Sequence, residues 1–468
     1  MIHQYLDQVM MTEGQLIRAV NVDSFPVGAK VTRPGYTSFL NTSNGSQVNS
    51  LFSWTRQDGS SIFLYRFSGN TLQYYDVAVG TATQWLNCDN GTFTGGSHVG
   101  NAVLNDVLIV GDGINPTRHS TDGTSFTNTT LAPVGQFFTT YQGANGARVY
   151  IAGTASQLFY SVSGDATNWN LSGTSDSSSI FIPNDGRIGK LMVLSGQLLI
   201  GKSQGRMYRW DGANLYDLAN ASGPTSPYSF ANIEGNGFWL NPLGVMTSQG
   251  DSPQLISNPV QRFIYNDANT GIGTGVFNNA PGAAHRYDYF LSIGSVQDDF
   301  TQEPLNNGIL KYNYQKNEFL TYQFNDNPTA YHSFRDSNGQ PKLIFGNAAG
   351  QCFTFGGTAV TDAGNPIYSV VDLLFNFNNP SFEKDWRWLV AYFNPGDSAQ
   401  VSIAHSNTFD MNKKDWIDIG EARSGVVKFK FPAGARSRLL WMRIKDASRT
   451  GKFTFYGVAL GAIVVDPG

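Results

Sequence analysis

Three segments of the sequence set an aspartate next to a glycine between aromatic, strand-forming residues. They are YSVSGDATNWN (160–170), RHSTDGTSF (118–126) and YRWDGANLYDL (208–218). A carboxylate in such a turn could act as a general acid or base, or it could accept backbone N–H bonds and close a hairpin. Because the arrangement recurs, we expect a structural role. The predicted turn residues and core anchors are Asp122, Phe126, Asp165, Trp169, Trp210 and Asp211.

The three segments resemble the Asp-box turn of sialidase-like propellers. In that turn Ser, Asp, Gly and an aromatic residue lock a hairpin: the aspartate accepts backbone N–H bonds and the glycine takes a positive φ. In such families these turns lie away from the catalytic face. The resemblance therefore implies a fold and no catalytic residue.

Other catalytic patterns are weak in this sequence. A glycoside hydrolase needs two carboxylates at a defined separation, one of them with a pKa raised by burial. Only six of the 35 acidic residues are glutamates, and no pair of carboxylates stands out. The arginines are dispersed, whereas a sialidase would need them clustered. We predict that the protein is not an enzyme.

The sequence also lacks the usual patterns for metals and cofactors. The six histidines are isolated, with no His-x-x-x-His and no Cys-x-x-Cys spacing. No glycine-rich loop runs into Lys-Ser/Thr and a helix. We therefore expect neither a metal nor a cofactor. The two cysteines, Cys88 and Cys352, are expected to be free thiols in cores of a protein folded in a reducing cytoplasm.

Charge is distributed unevenly along the chain. The formal net charge is −4. From residue 366 onward, 13 basic residues face 10 acidic ones, a charge of +3, so the preceding part carries −7 with 18 against 25. Within the basic part we expect a stripe that meets a partner: Lys428, Lys430, Arg436, Arg438, Arg443 and Lys445. An ordinary solvated sheet face is the alternative.

A repeat of roughly 40 to 50 residues organises most of the chain and is typical of four-stranded propeller blades. Strand-like segments begin near Val48, Gly96, Gly135, Gly186, Ser226, Ala280 and Asn327. The scarcity of glutamate and the 51 glycines also favour an all-β chain. We predict a β-propeller of seven blades over 47–365, fed by a segment at 1–46 and followed by an antiparallel β-sandwich at 366–468. Six blades, or a pair of sandwiches, are the alternatives.

The N-terminal run AVNVDSFPVGAKVTRPGYTSFLN (19–41) leads from an asparagine-bearing strand to the turn Arg33-Pro34-Gly35, followed by Tyr36. This run, the propeller-like units and the terminal block together resemble the propeller tail proteins of short-tailed bacteriophages. These are packaged-DNA stabilisation (plug or hub) proteins and tubular tail nozzles. The resemblance covers nearly the whole chain in layout.

The resemblance implies a virion structural protein, assembled in the host cytoplasm as a closed ring, usually a hexamer. The ring would lie below the portal and its adaptor and contact other tail proteins, and double-stranded DNA would pass through its lumen without sequence readout. We expect no signal peptide and no membrane span, since no apolar stretch approaches the roughly 18 residues that a span requires. The alternative is a tail-tip propeller that binds a host surface or glycan through Trp54, Trp85 and Trp239.

Overall fold

A computed structural model describes most of the chain. The described residues are 15–24, 28–40, 42–80, 83–153, 156–171, 176–183, 186–203, 205–218, 223–264, 272–298, 303–376, 381–407, 415–422, 425–431, 435–446 and 453–465. Helix within these ranges is limited to a 3-10 turn at Asn258–Val260 and two short α-helices, Gln261–Ile264 and Thr274–Asn279. None of these helices has the length and apolar character needed to cross a bilayer.

The fold is all-β and propeller-like, built mainly of four-stranded antiparallel sheets. We number them sheets 1 to 7 in chain order and give the strands of each in the order in which they pair. The first three are sheet 1 (Val48–Thr55, Ile62–Ser68, Thr71–Asp76, Leu86–Thr92), sheet 2 (Gly100–Leu104, Val107–Gly111, Arg118–Ser120, Thr127–Asn128) and sheet 3 (Gly135–Gly143, Gly146–Gly153, Gln157–Tyr160, Ser178–Phe181).

The next two are sheet 4 (Ile188–Leu194, Gln197–Lys202, Met207–Trp210, Leu215–Leu218) and sheet 5 (Ala231–Ile233, Asn236–Asn241, Gly244–Ser248, Gln254–Leu255). The last two are sheet 6 (Gly282–His285, Asp288–Gln297, Pro304–Asn313, Glu318–Gln323), which is part of a larger sheet, and sheet 7 (Ala330–Arg335, Pro341–Gly346, Cys352–Phe355, Tyr36–Phe39).

Consecutive strands pair in chain order within sheets 1 to 6, so each of these is a meander. Between the first two strands of sheet 2, Asn105 and Asp106 both have positive φ (47° and 60°), which matches the twist of a two-residue hairpin. The first strands of most neighbouring sheets pack side by side, and the first strand of sheet 7 packs on that of sheet 1. Between sheets 4 and 5, the first strand of sheet 4 packs on Asn236–Asn241, the second strand of sheet 5. The approach is close: a Cβ on Gly100 would lie 1.8 Å from the carbonyl oxygen of Gln136. The sheets therefore follow one another around a closed circuit.

An extension of sheet 6 and one further sheet form the terminal block. Sheet 6 continues into the strands Gln15–Val20, Val370–Phe375, Leu439–Asp446, Ala399–Ser406 and Ile417–Ala422, making nine strands in all. A separate six-stranded sheet holds Val22–Asp23, Lys30–Thr32, Thr454–Val465, Glu383–Phe393, Val426–Lys430 and Arg436–Ser437. Side chains from both sheets, among them Trp386, Val401 and Met442, share one buried cluster.

The N-terminal segment connects these two parts of the molecule. Gln15–Val20 pairs with Val370–Phe375 of the terminal block and, in parallel, with the last strand of sheet 6. Tyr36–Phe39 supplies the fourth strand of sheet 7 by pairing with Cys352–Phe355. Tyr36 is fully buried, and its ring lies 5.0 to 5.1 Å from the rings of Phe324, Phe345 and Phe353. One segment thus completes sheet 7 and anchors the terminal block.

Arg33 holds this segment in place. Its Nη1 and Nη2 donate to the two carboxylate oxygens of Asp362 at 2.8 and 2.6 Å, and both side chains are almost fully buried. Its Nε donates to Asn21 Oδ1 at 2.8 Å, and Nη2 also donates to the carbonyl oxygen of Gln323 at 2.8 Å. The guanidinium lies 4.6 Å from the centre of the Phe324 ring. Arg33 therefore joins its own turn to three other segments of the chain with charge-assisted hydrogen bonds.

Three partly buried histidines have unusually low pKa values. Burial lowers the pKa of His98, His285 and His332 to about 4. Nε2 of His332 lies 2.8 Å from Ser53 Oγ, and the ring of His98 stacks on that of Tyr228 with centroids 3.6 Å apart. These imidazoles are neutral in the folded protein at neutral pH.

We expect Arg33→Met to lower the free energy of unfolding by about 3–5 kcal/mol, because Asp362 would be left as an uncompensated buried charge. The double variant Arg33→Met/Asp362→Leu should be less destabilised than the sum of its single variants. Thermal and denaturant unfolding measure this. The control is Arg206→Met, which removes a half-exposed pair with Asp217 and should cost about 0–1 kcal/mol. Equal losses in the free energy of unfolding for Arg33→Met and Arg206→Met would contradict the proposed role of the buried Arg33–Asp362 pair.

We expect stability to fall as the pH is lowered from about 6.5 to about 4. The unfolded chain takes up protons on these histidines near pH 6.5, whereas the folded chain takes them up only near pH 4. Protonation in that window therefore favours the unfolded state. Melting temperatures across the range should show the decline, and His332→Gln should make it shallower. An identical slope in the variant would show that His332 does not contribute.

Candidate functional site

The three predicted turn aspartates accept hydrogen bonds from their own turns. Asp122 Oδ1 accepts from the backbone N–H of Thr124 and Ser125 at 2.8 Å each. Asp165 Oδ1 accepts from the backbone N–H and hydroxyl of Thr167. The backbone N–H groups of Asn214 and Ala213 lower the pKa of Asp211 to about 2. A carboxylate so held is a poor proton-transfer group near neutral pH.

The aromatic residues of the same segments lie in the core. Phe126 and Trp169 are each 1% exposed and Trp210 is 7% exposed. Trp169 packs with residues of sheets 2 and 3, including Leu104 and Val149, and its Nε1 donates to the carbonyl oxygen of Ala166 at 2.8 Å. Each segment therefore combines a hydrogen-bonded turn with an aromatic side chain packed between sheets.

The tryptophans considered for glycan stacking are buried. Trp54 is 2% exposed, Trp85 is 5% exposed and Trp239 is fully buried. Their rings are covered by neighbouring side chains and offer no face to a sugar. The structure thus removes these three residues as carbohydrate contacts.

Five of the six residues of the predicted basic stripe are exposed: Lys428, Lys430, Arg436, Arg438 and Lys445. Lys428 and Lys430 alternate with the buried Phe429 along one strand, as their spacing predicted. Lys428 Nζ lies 5.1 Å from the centre of the Trp388 ring. These lysines belong to the outer face of the six-stranded sheet.

Arg443 does not lie on that stripe. It is 4% exposed and forms a two-pronged pair with Asp372, both bonds 2.6 Å long. Its Nη1 also lies 2.7 Å from Glu303, which pairs in addition with Arg18. Although burial alone would raise the pKa of Glu303, these two guanidinium groups hold it below its ordinary value. Arg443 is an internal clamp because its strand is covered on both faces.

Exposed apolar side chains accompany the lysines on the outer face of the six-stranded sheet. Val426 is 63% exposed, Ile463 55%, Tyr456 48% and Tyr392 40%. Tyr392 pairs in register with Val426. We call Tyr392, Val426, Lys428, Lys430, Tyr456 and Ile463 the basic-apolar face. Such a mixture of apolar and cationic groups is suited to contact with an acidic protein surface.

A cavity of about 240 Å³ lies where the first strands of the seven sheets converge. Every sheet contributes from its first strand or the residues just before it. The polar or ionisable lining residues include Asn49, Asn101, Gln136, Lys190, Tyr228 and Tyr331. A wider cavity of about 520 Å³ adjoins it, shares His98 and Tyr228, and adds Arg187. We call the first cavity the central channel and the second its mouth.

The described residues contain no group of three or more His, Cys, Asp or Glu side chains placed to hold a metal ion. Cys88 and Cys352 are both free and buried. Burial raises the pKa of the Cys352 thiol to about 11 and that of Cys88 further still. These thiols are therefore unreactive at neutral pH.

Comparison with known proteins gives similarity of fold only. No family model and no curated protein matches the sequence. YCF48 from Cyanidioschyzon merolae aligns with 11% identity over 69% of this chain and 98% of its own, with a TM-score of 0.43. BBS1N, solved in complex with ARL6DN, aligns with 8% identity over 69% and 97%, with a TM-score of 0.45. Both are propeller proteins. At these values the likeness assigns no function to this chain.

The central channel could not be predicted from a local sequence motif. Its lining residues come from seven separate units, and none forms a local motif. The signal available was positional: aligning the units would place Asn49, Gln136 and Lys190 near equivalent points of their first strands. Lys190 differs from Asn49 and Gln136 because its side chain can carry a charge.

We expect Trp169→Ala to lower the free energy of unfolding by about 3–5 kcal/mol, because a large buried ring would leave a cavity between sheets 2 and 3. Asp165→Ala should cost less, since it removes only turn hydrogen bonds at the surface. Thermal melts of both variants test this. An unchanged melting curve for Trp169→Ala would contradict the assignment of this side chain as a core anchor.

Proposed function

We propose that this protein is a structural component of a bacteriophage virion. It would form the tail hub or nozzle ring below the portal and its adaptor, and would retain and conduct the packaged genome. The proposal includes no catalytic role and no cofactor. Its main support is the N-terminal run that resembles tail propeller proteins, in which Asn21 and the Arg33-Pro34-Gly35 turn contact each other directly.

The architecture in this proposal is a seven-bladed propeller followed by a sandwich. Sheets 1 to 7 would be the blades, with Tyr36–Phe39 closing the last one, and the two sheets of the terminal block would be the sandwich. Gly35 suits this closure, because a Cβ there would lie 2.0 Å from the carbonyl oxygen of Thr361. The Arg-Pro-Gly turn thus has a structural reason in addition to its family resemblance.

The genome passage in this proposal lies between subunits. The central channel encloses only about 240 Å³ and is filled at its walls by side chains such as Phe137, Phe138 and Tyr331. A DNA duplex is far wider than that. A lumen wide enough for DNA therefore requires several copies of the chain around an axis, with contacts that close on themselves.

The basic-apolar face fits the contact that such a ring needs. It belongs to the terminal block, which carries +3, whereas the rest of the chain carries −7. A head-to-tail ring would place this face against the acidic propeller of the neighbouring subunit. Exposed Val426 and Tyr392 would supply apolar contact, and Lys428 and Lys430 would steer association.

We expect virions that carry this protein to show it as a closed ring around the tail axis by cryo-electron microscopy. Lys428→Glu/Lys430→Glu should reduce incorporation into that ring and should do so most at low salt, where charge steering is strongest. A matched reversal on sheet 7, Arg335→Glu/Lys342→Glu, should assemble normally. A lone peripheral spike in the particle, or hydrolysis of a glycan by the purified protein, would overturn the proposal.

A further inference from the structure

Lys190 is a part-buried cation in the central channel. Among the described residues it has no ion pair, and its nearest ring contact is Phe230, with Nζ 5.9 Å from the ring centre. Charges inside proteins are ordinarily paired, because removal from water is costly. Burial lowers the pKa of Lys190 to about 8 for this reason. The ammonium group of Lys190 therefore has no compensating anion within the described part of the chain.

No described residue lining the channel or its mouth is acidic. The charged residues there are Lys190 in the channel and Arg187 at the mouth, and neither has an ion-pair partner in the described chain. This occurs in a chain whose overall charge is −4. A concave site with charge of one sign attracts ligands of the other sign.

A flat ring wall lies in the same channel. The stacked rings of His98 and Tyr228, with centroids 3.6 Å apart, line it together with Lys190. The cation and the ring wall therefore lie in one cavity.

We propose that the central channel binds a small organic anion bearing a carboxylate or phosphate group, with Lys190 as its counter-ion and the stacked rings of His98 and Tyr228 as a flat wall against it. The cavity is smaller than the pockets that hold drug-sized ligands, so the ligand has few non-hydrogen atoms. The mouth beside Arg187 provides the entry. This proposal does not depend on the proposed tail ring.

Among the described groups facing this site, only Lys190 changes charge between pH 6 and pH 10. His98 has a pKa of about 4 and Tyr228 of about 12, and guanidinium groups such as that of Arg187 do not deprotonate in proteins. Lys190 loses its proton around pH 8. Anion affinity should therefore be flat below about pH 7 and fall by up to about tenfold per pH unit above pH 8.

Titration calorimetry of the full chain with citrate and with inorganic phosphate, at constant ionic strength, tests the proposal. Lys190→Met should weaken binding at pH 7 at least about tenfold. The control is Lys342→Met, a partly exposed lysine on sheet 7 outside the channel, which should bind like the unaltered protein. Citrate should also show the pH dependence, since its carboxylates stay ionised above pH 7.

The melting temperature separates lost binding from lost folding. Because methionine carries no charge to desolvate, Lys190→Met should melt at or above the temperature of the unaltered protein at pH 7. Three results would overturn the proposal: equal anion affinity in Lys190→Met, no binding of either anion to the unaltered protein at about 10 mM, or a lower melting temperature for Lys190→Met. The last would show that the lysine has a structural partner.

Discussion

The guanidinium of Arg33 satisfies acceptors from parts of the chain that are up to 341 positions apart, Asn21 and Asp362. Bringing the N-terminal segment against residues 352–362 closes a loop of some three hundred residues, and the entropy cost of that closure must be met by strong contacts at the junction. Arginine suits the position because it has five donors in a fixed fork. The fourth strand of sheet 7, the circuit of sheets and the attachment of the terminal block all depend on this junction. A lysine could not bond Asp362 through two donors and also reach Asn21 and Gln323.

Local signals in the sequence were sufficient for the repeating part of the fold. Unit starts were predicted near Val48, Gly96, Gly135, Gly186, Ser226, Ala280 and Asn327, and the first strands begin at Val48, Gly100, Gly135, Ile188, Ala231, Gly282 and Ala330. These agree because hairpin turns and strand alternation are set by neighbouring residues. The pairing of Gln15–Val20 with Val370–Phe375, and of Tyr36–Phe39 with Cys352–Phe355, could not be read in the same way. The partner strands are more than three hundred positions away, and the residues of a short strand do not indicate which sheet edge the strand will pair with.

The basic stripe also shows what the sequence pattern can and cannot predict about the position of a side chain. Lys428 and Lys430 alternate with apolar residues, and that alternation correctly placed them on the open face of a sheet. Arg443 lies in Leu439–Asp446, where Leu440 and Met442 face one cluster while Leu439 and Trp441 face another. The unbroken run Leu439–Met442 is typical of a strand covered on both faces, and it was the available signal that Arg443 would be internal. Charge alone therefore did not identify a surface residue; the pattern around it did.

Burial of basic side chains also changes the net charge of the surface. In the described part of the chain eight Lys and Arg residues are buried, against four aspartates. Several serve as donors to turn carbonyls: Arg66 bonds the carbonyl oxygens of Thr42 and Gly350, and Arg148 bonds those of Ser161 and Asp176. Turns leave such acceptors open, and a multi-donor side chain satisfies them. The solvent-facing surface is therefore more acidic than the formal charge of −4 indicates.

If the chain lines a genome passage, that acidic surface repels the DNA phosphates, and DNA can slide along it. Binding of DNA to the wall would instead require basic side chains that neutralise the phosphates. Under the two proposals, the basic-apolar face would meet the neighbouring subunit and the Lys190 ammonium in the central channel would meet an anion.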